Sequence, residues 1–148
     1  MISDYRDLEV WKKSMTLCEK VYSYVRMFPQ EEKFALGDQL RRAVVSIPSN
    51  IAEGNGRLSQ ADYSHFLGIA RGSLHEVCTQ LELAERFGYI TVDHETKELT
   101  TAIAKMLFVM IRKLKGIGNR EVVCVVLFPI PHSLFPIPYS PFPIPYSL

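Results

Sequence analysis

Apolar residues recur at steps of three and four along four successive segments of this 148-residue chain. This spacing places them on one face of an α-helix, which turns once every 3.6 residues. Four amphipathic helices joined by short turns bury their apolar faces together in an up-down bundle. The sequence therefore predicts an all-α fold, an antiparallel up-down four-helix bundle. The predicted helices run from about Asp4 to Met27, from Glu31 to Glu53, from Ser59 to Gly88 and from Asp93 to Gly116.

The first helix has more apolar residues than one stripe holds. Its near-heptad spacing predicts one core seam, and further apolar residues fall outside that seam. Phe108 and Val109 are a similar surplus in the fourth helix. A monomeric bundle would leave part of this surplus exposed, so we expect a homo-oligomer. The predicted seam is Leu8, Trp11, Met15, Cys18, Tyr22 and Val25, and the surplus of the first helix is Tyr5, Val10, Leu17 and Tyr24.

The second and third helices have clearer apolar stripes, and small residues mark special positions in both. Gly54-Asn55-Gly56 predicts the end of the second helix, because glycine and asparagine accept C-cap conformations. Gly72 and its small neighbours in the third helix favour close packing of another helix. The predicted core stripes are Leu36, Leu40, Ala43, Val44, Ile47 and Ile51, and Tyr63, Leu67, Ala70, Leu74, Val77, Leu81 and Ala84.

A polar stripe also runs along the second helix. It combines amides, a hydroxyl and a guanidinium, which are groups suited to specific hydrogen bonds. Pro48 lies inside this helix, where it lacks a backbone N–H and should kink the helix near Val44. The stripe consists of Gln39, Arg42, Ser46, Asn50 and Glu53.

One interpretation of the stripe is a binding surface. Arg42, Asn50 and Arg57, helped by Arg41, would contact nucleic acid or a partner protein. Arginine suits this role because its planar guanidinium binds phosphate with two parallel hydrogen bonds.

The other interpretation is structural. Arg42 and Glu53 would pair with neighbouring subunits, and Asn50 would cap the carbonyl group that Pro48 frees. In this interpretation the stripe fixes the register of an oligomer, and its structural members are Gln39, Ser46, Pro48 and Glu53.

The fourth helix is rich in cations towards its end, although the formal net charge of the chain is only +1. Residues 99–120 include no acidic residue. Cations near a helix C-terminus complement the helix macrodipole, which is the simpler interpretation. The alternative is a basic face for RNA phosphates. The cations are Lys105, Arg112, Lys113, Lys115 and Arg120.

No motif indicates catalysis or a cofactor. Cys18, Cys78 and Cys124 are far apart and form no CxxC or Cys/His cluster, so we expect neither a zinc site nor a disulfide framework. The Glu-x-x-His motif of di-iron bundles is absent, as is a glycine-rich phosphate loop with its lysine. We therefore expect no enzyme activity, no cofactor, no metal and no small-molecule substrate.

The sequence also predicts where the protein resides. Its first residues carry no basic region followed by an apolar run, so no secretory signal is expected. No apolar run reaches the roughly 18–20 residues that span a bilayer. We predict a cytoplasmic protein without a membrane partner.

A seven-residue proline and aromatic repeat fills the end of the chain. Leu127–Ser133 recurs as Leu134–Ser140 and again as Pro141–Ser147. Alternating prolines disfavour helices and interior strands, so this segment should be extended or polyproline-like. We predict a four-helix bundle over residues 1–120 and a tail, residues 121–148, that is not part of the fold.

Several separated motifs occur together in an order typical of one known family. They are Leu8-Glu9-Val10-Trp11, Val21-Tyr22, Phe28-Pro29, Gln39–Gly54, Arg57-Leu58-Ser59, Phe66–Leu74 and Gly88-Tyr89-Ile90. With these motifs the chain resembles the four-helix-bundle proteins encoded in intervening sequences of 23S ribosomal RNA genes. The resemblance covers about residues 1–120 and departs from the family pattern at Lys33–Leu36, where the family has an aromatic residue followed by Gly and Leu.

This resemblance implies an antiparallel bundle that assembles into a ring, a homopentamer. A related accessory protein of diversity-generating retroelements resembles a binder of nucleic acid and reverse transcriptase. The family has no established biochemical activity. We predict a non-enzymatic, homo-oligomeric protein that binds RNA or a ribonucleoprotein, and the alternative is an oligomeric protein–protein scaffold without nucleic-acid contact.

Overall fold

A computed structural model of the protein describes residues 4–116. In this part of the chain a short 3-10 helix precedes four α-helices, and no strand is present. The predicted tail, residues 121–148, and the predicted cation Arg120 lie outside the described residues. The elements are the 3-10 helix Tyr5–Asp7, α1 (Glu9–Arg26), α2 (Leu36–Asn55), α3 (Gln60–Arg86) and α4 (His94–Leu114).

The four helices form an up-down bundle. Each helix packs against the next along the chain, and α1 also packs against α4, which closes the bundle. The contact between α2 and α3 is the most extensive. Lys20, in the C-terminal half of α1, binds Asp93 and Glu95 at the start of α4, with Nζ–O distances of 3.4 and 2.8 Å. The all-α, antiparallel four-helix prediction is confirmed.

The predicted starts of α3 and α4 are confirmed by their caps. Ser59 Oγ accepts a hydrogen bond of 3.0 Å from the Asp62 backbone N–H. Asp93 Oδ1 accepts one of 2.6 Å from the Thr96 N–H. Both side chains thereby satisfy a first-turn donor that has no partner within the helix. At the other end of α3, Gly88 adopts a positive φ of 74° and closes the helix as predicted.

The start of α2 differs from the prediction. The helix begins at Leu36 rather than Glu31, and residues 30–35 form turns. Gly37, in the first turn of α2, lies close to α1. A Cβ on Gly37 would lie 2.8 Å from Val25 Cγ1 and 3.0 Å from the Glu32 carbonyl oxygen. Glycine at this position therefore lets the start of α2 pack directly against α1 and the preceding turn.

The core draws on all four helices. The predicted stripes of α2 and α3 are confirmed in their central residues, which are buried. Ile103 and Leu107 supply the buried residues of α4 to this cluster. The largest fully buried side chains are Leu17, Val21, Val25, Leu40, Val44, Ile47, Ile51, Leu67, Leu74, Val77, Ile103 and Leu107.

The predicted seam of α1 is only partly correct: Val25 is buried as predicted, but other members of the seam are not. Val10, Leu17 and Tyr24, predicted as surplus, are buried, whereas Met15 and Tyr22 of the predicted seam are 39% and 41% exposed. Apolar residues occupy two neighbouring stripes of α1, so spacing alone does not distinguish them. Burying Tyr24 requires partners for its hydroxyl. That hydroxyl accepts from the Asp93 N–H at 3.0 Å and pairs with Thr96 Oγ1 at 3.0 Å.

No helix within residues 4–116 combines the length and the apolar character that crossing a membrane requires.

Candidate functional site

Two of the five residues of the α2 polar stripe, Ser46 and Asn50, are partly buried in the bundle. Ser46 Oγ is 2.9 Å from Ser73 Oγ of α3. The side-chain amide of Asn50 donates to Ser46 Oγ at 2.9 Å and to the Ser46 carbonyl at 2.7 Å. These partly buried groups satisfy one another at the α2–α3 contact, so they contribute to the bundle itself. The partner Ser73 was predicted only as a small residue.

The carbonyl group freed by Pro48 is satisfied by α1. Pro48 is buried, and the Val44 carbonyl accepts a hydrogen bond from Cys18 Sγ at 3.4 Å. The prediction that Asn50 caps this carbonyl is wrong, because Asn50 reaches back one turn to Ser46 instead. Burial, with a smaller effect of Glu19, raises the pKa of the Cys18 thiol to about 11. The thiol therefore keeps the proton that it donates.

Arg41 is committed to the turn before α2. Its Nη1 binds Asp38 Oδ1 at 2.6 Å and the Lys33 carbonyl at 3.1 Å. These contacts hold the non-helical segment where α2 begins late. Gln39 and Arg42 are exposed on the same helix.

At the other end of α2, Glu53 pairs with Arg57 within the chain. The Arg57 guanidinium also lies over the Phe66 ring, 4.7 Å from its centroid. Glu53 was predicted to pair with a neighbouring subunit, and the structure gives it this partner in its own chain. Both side chains remain about half exposed, so the pair adds little stability.

α2 ends within the predicted Gly54-Asn55-Gly56 motif, with Gly56 at the C-cap in an ordinary φ of −77°. Gly54 lies inside the helix, which continues to Asn55. A Cβ on Gly54 would lie 2.8 Å from both Phe66 Cβ and Tyr63 Cδ2. Glycine at this position therefore lets α3 approach α2 closely.

An exposed aromatic ring of α4 is flanked by one cation from α3 and one from α4. Phe108 is 42% exposed, with the guanidinium of Arg112 5.5 Å and that of Arg71 5.7 Å from its ring centroid. Residues 105, 108, 112 and 115 are spaced by three and four, so they share one helix face. We define the basic strip as Lys105, Phe108, Arg112 and Lys115 of α4 with Arg71 of α3.

A groove of about 490 Å³ lies beside this strip, between α3 and α4. Arg71 and Lys115 contribute a cation from each helix, and Ser64, His65 and Gly68 are among its other lining residues. The Ser64 hydroxyl is buried and has no hydrogen-bond partner within residues 4–116. A Cβ on Gly68 would meet nothing within 4 Å, so its backbone is open to the groove.

Gly72, one turn along α3 from Gly68, does not meet the predicted neighbouring helix. A Cβ there would also find nothing within 4 Å. Ala70, in contrast, is fully buried, as close packing requires. The outer side of α3 therefore presents bare backbone at two successive turns.

Charge is unevenly distributed along α4. The helix begins with acidic residues and ends with basic ones, and the C-terminal half of the antiparallel α3 adds more acid near the start of α4. Lys113 is exposed near the end of α4, on the side towards α1. The acidic residues are Glu82, Glu85, Asp93, Glu95 and Glu98, with Arg86 and Lys97 as cations among them, and the basic residues towards the end of α4 are Lys105, Arg112, Lys113 and Lys115.

Sequence reasoning identified the α4 cations but missed Arg71 and Phe108 as members of the same surface. An apolar aromatic residue, Phe108, in a cation-rich helix could have indicated a binding surface, but from the sequence it was assigned only to an oligomer interface. Among residues 4–116, no group of three His, Cys, Asp or Glu side chains lies close enough to hold a metal ion.

Comparison with known proteins identifies the family. The family model described as 23S rRNA-intervening sequence protein matches residues 6–109. The chain belongs to this family. The 23S rRNA-intervening sequence family match spans all of α1, α2 and α3 and most of α4.

A solved structure supports the family fold. The chain is similar to a crystal structure of a protein of unknown function from the S23 ribosomal protein family of Bacteroides thetaiotaomicron. The two share 30% identity with a TM-score of 0.61, over 70% of this chain and 95% of that one. No curated protein matches the chain significantly.

Proposed function

We propose that this protein is a non-enzymatic homo-oligomer that binds RNA, alone or in a ribonucleoprotein, through the basic strip. The observation that carries the proposal is the exposed Phe108 flanked by Arg71 and Arg112, beside a groove that Arg71 and Lys115 line. Arginine and lysine side chains neutralise phosphates, and aromatic rings interleaved with them stack on bases.

The α2 stripe has a smaller part in this proposal. Ser46 and Asn50 bind each other and α3, and Arg41 binds the turn before α2. Arg42 is exposed and stays a candidate contact, and Arg57 lies at the end of the bundle where the basic strip ends. We therefore place the binding surface on α3 and α4.

The oligomer is supported by apolar surface on α1. Met15 and Tyr22 share a helix face with Trp11 and are about 40% exposed, and Val45 of α2 is 42% exposed. A second copy of the chain would cover such a surface. The family resemblance implies five copies in a ring.

A protein–protein scaffold without RNA is the second candidate function. A largely apolar groove of about 400 Å³ between α1 and α4 favours it. Leu8 and Val10 line this groove on one side, and Met106 and Val109 line it on the other. The affinity of a partner bound through this apolar groove would depend only weakly on salt concentration.

RNA binding across a salt series separates the two candidates. We expect the full chain to bind structured and single-stranded RNAs, with affinity falling steeply as salt rises. Reversing two strip charges, Lys105→Glu with Lys115→Glu, should weaken binding about tenfold or more. The matched control, Arg26→Glu with Lys97→Glu, makes the same change in net charge at the opposite end of the bundle and should bind nearly as the parent does.

Equal loss in both double variants would show that general charge, and no particular surface, governs binding. Absence of binding at low salt would overturn the RNA proposal and favour the scaffold.

A further inference from the structure

We propose that the basic strip and the adjacent groove form a site for single-stranded RNA. A base stacks on Phe108, and the neighbouring sugar–phosphate lies in the α3–α4 groove between Arg71 and Lys115. This inference rests on the proposed RNA binding and specifies which form of RNA is bound and where.

Phe108 is suited to stacking because it is held in place while it remains accessible. Arg71 approaches its ring from α3 and Arg112 from α4, with guanidinium carbons 5.7 and 5.5 Å from the ring centroid. Cation–π contacts of this kind orient the ring. The ring is nonetheless 42% exposed. Guanidinium planes stack on bases as well, so a base that displaces one guanidinium from the ring can stack on Phe108 and keep contact with the displaced arginine.

The groove continues from the ring because Arg71 belongs to both. Arg71 contacts Phe108 and also lines the groove, where Lys115 contributes a second cation. A phosphate between them would bring a negative charge to two cations from different helices. The volume of the groove, about 490 Å³, is within the range of clefts that bind ligands.

Two features of α3 favour close approach of a sugar–phosphate chain. Gly68 presents backbone without a side chain, and the space above it is open for 4 Å. Ser64 has a buried hydroxyl without a hydrogen-bond partner in the part of the chain that the structure describes. Ser64 also lines the groove, so its small side chain leaves room beside Gly68.

The requirement for a free base face selects single strands. Paired bases in a duplex are stacked on one another, and their faces are closed to a protein side chain. A strand with unpaired bases offers a face to Phe108 and a flexible backbone to the groove. Loops and unpaired ends should therefore bind in preference to duplexes.

The test compares a single-stranded RNA with a duplex of the same sequence by fluorescence anisotropy, using the full chain. Phe108→Leu keeps an apolar side chain but cannot stack, and should weaken single-strand binding about fivefold or more, since one stacked base is worth about five- to 150-fold. Phe108→Trp, which keeps an aromatic ring, should bind the single strand about as tightly as the parent does. Neither variant should change duplex binding.

Two glycines provide a matched pair for the groove. Gly68→Ala and Gly72→Ala place the same methyl group in open space on the same helix. Only Gly68 lines the groove. We expect Gly68→Ala to weaken single-strand binding and Gly72→Ala to leave it unchanged, with both variants as well folded as the parent.

The remaining outcomes overturn the inference in distinguishable ways. Parent-like single-strand binding by Phe108→Leu and Gly68→Ala, with loss on reversal of Lys105 and Lys115, would remove the site and keep the proposed function. A changed oligomer mass for Phe108→Leu would assign Phe108 to a subunit interface. Absence of RNA binding by the parent would overturn both proposals.

Discussion

At the scale of single residues, Gly54 shows how position decides the role of a glycine. Its sequence context resembles a helix end, but the structure places it where Phe66 and Tyr63 pack against α2. Gly72 is also a glycine inside a helix, but a Cβ at that position would meet nothing within 4 Å. The two positions therefore predict opposite effects of the same substitution.

We expect Gly54→Ala to lower the free energy of unfolding by about 1–3 kcal/mol, because the added methyl group overpacks the α2–α3 contact. Gly72→Ala should instead raise it by up to about 1 kcal/mol through helix propensity. Urea denaturation followed by circular dichroism, at one protein concentration, measures both. Equal effects at the two positions would contradict the packing role of Gly54.

Asp93 is a second residue whose contacts predict a measurable effect. The pKa of its carboxyl is held well below the usual range, chiefly by the hydrogen bond from the Thr96 N–H. Side-chain hydrogen bonds from Thr96, Tyr24 and Lys20 lower it further. The unfolded chain, with a pKa of about 3.9, therefore binds the proton more tightly than the folded chain does. The cap's contribution to stability is complete above about pH 4 and is lost as pH falls towards the folded pKa.

Asp93→Ala should destabilise α4 by about 1 kcal/mol at pH 7. Asp93→Asn should retain most of the cap, and its stability should fall less between pH 5 and pH 3 than that of the parent. Urea unfolding at several pH values measures this difference, with the exposed Asp7→Asn as control. An identical pH dependence of the parent and Asp93→Asn would exclude Asp93 as a source of acid sensitivity.

At the scale of helices, α1 and α2 are joined where α2 contains its proline. Pro48 frees the Val44 carbonyl, and Cys18 supplies the donor from α1. A buried carbonyl without a donor is costly, so Cys18 offsets the defect that Pro48 introduces.

We expect Cys18→Ala to lower the free energy of unfolding by about 1–2 kcal/mol, through the lost hydrogen bond and the small cavity. In a Pro48→Ala background the restored N–H binds Val44 within the helix, so part of that cost should disappear. A double-mutant cycle by urea denaturation measures the coupling. Additive effects would show that the thiol and the proline act independently.

Helices with one apolar stripe were predictable in detail, and α1 was not. In α2 and α3 the repeat of Leu40, Val44 and Ile47, or of Leu67, Leu74 and Val77, marks the buried face. In α1 apolar residues fall on two neighbouring stripes, and the buried stripe includes Tyr24, whose hydroxyl hydrogen-bonds to Asp93 and Thr96 at the start of α4. Such partners are distant in sequence, so periodicity does not reveal them.

The candidate site shows the same limit. The cations of α4 are visible as a run without acidic residues. Arg71 belongs to a different helix, and only the packing of α3 against α4 brings it to Phe108. The hydrogen bond of Cys18 to Val44 likewise follows from tertiary structure, because neither residue signals the other along the chain.

At the scale of the whole bundle, the exposed face of α1 predicts assembly. Met15→Glu with Tyr22→Glu places charges on apolar surface that a second copy would cover, and should reduce the oligomer to smaller species at micromolar concentration. Thr16→Glu with Ser23→Glu, on a neighbouring exposed face of α1, is the control and should leave the mass unchanged. Light scattering coupled to size exclusion measures the mass, and an unchanged mass for the first variant would exclude this face as the interface.

The charge gradient of α4 has a consequence before any contact forms. Acid near one end of the bundle and base near the other give it an electric dipole moment. The field of a polyanion exerts a torque on such a dipole and turns the basic end forward while the partners are still apart. Collisions are then biased towards the productive orientation, and because dissolved ions attenuate the field within about 10 Å at 0.1 M, salt should slow the encounter itself.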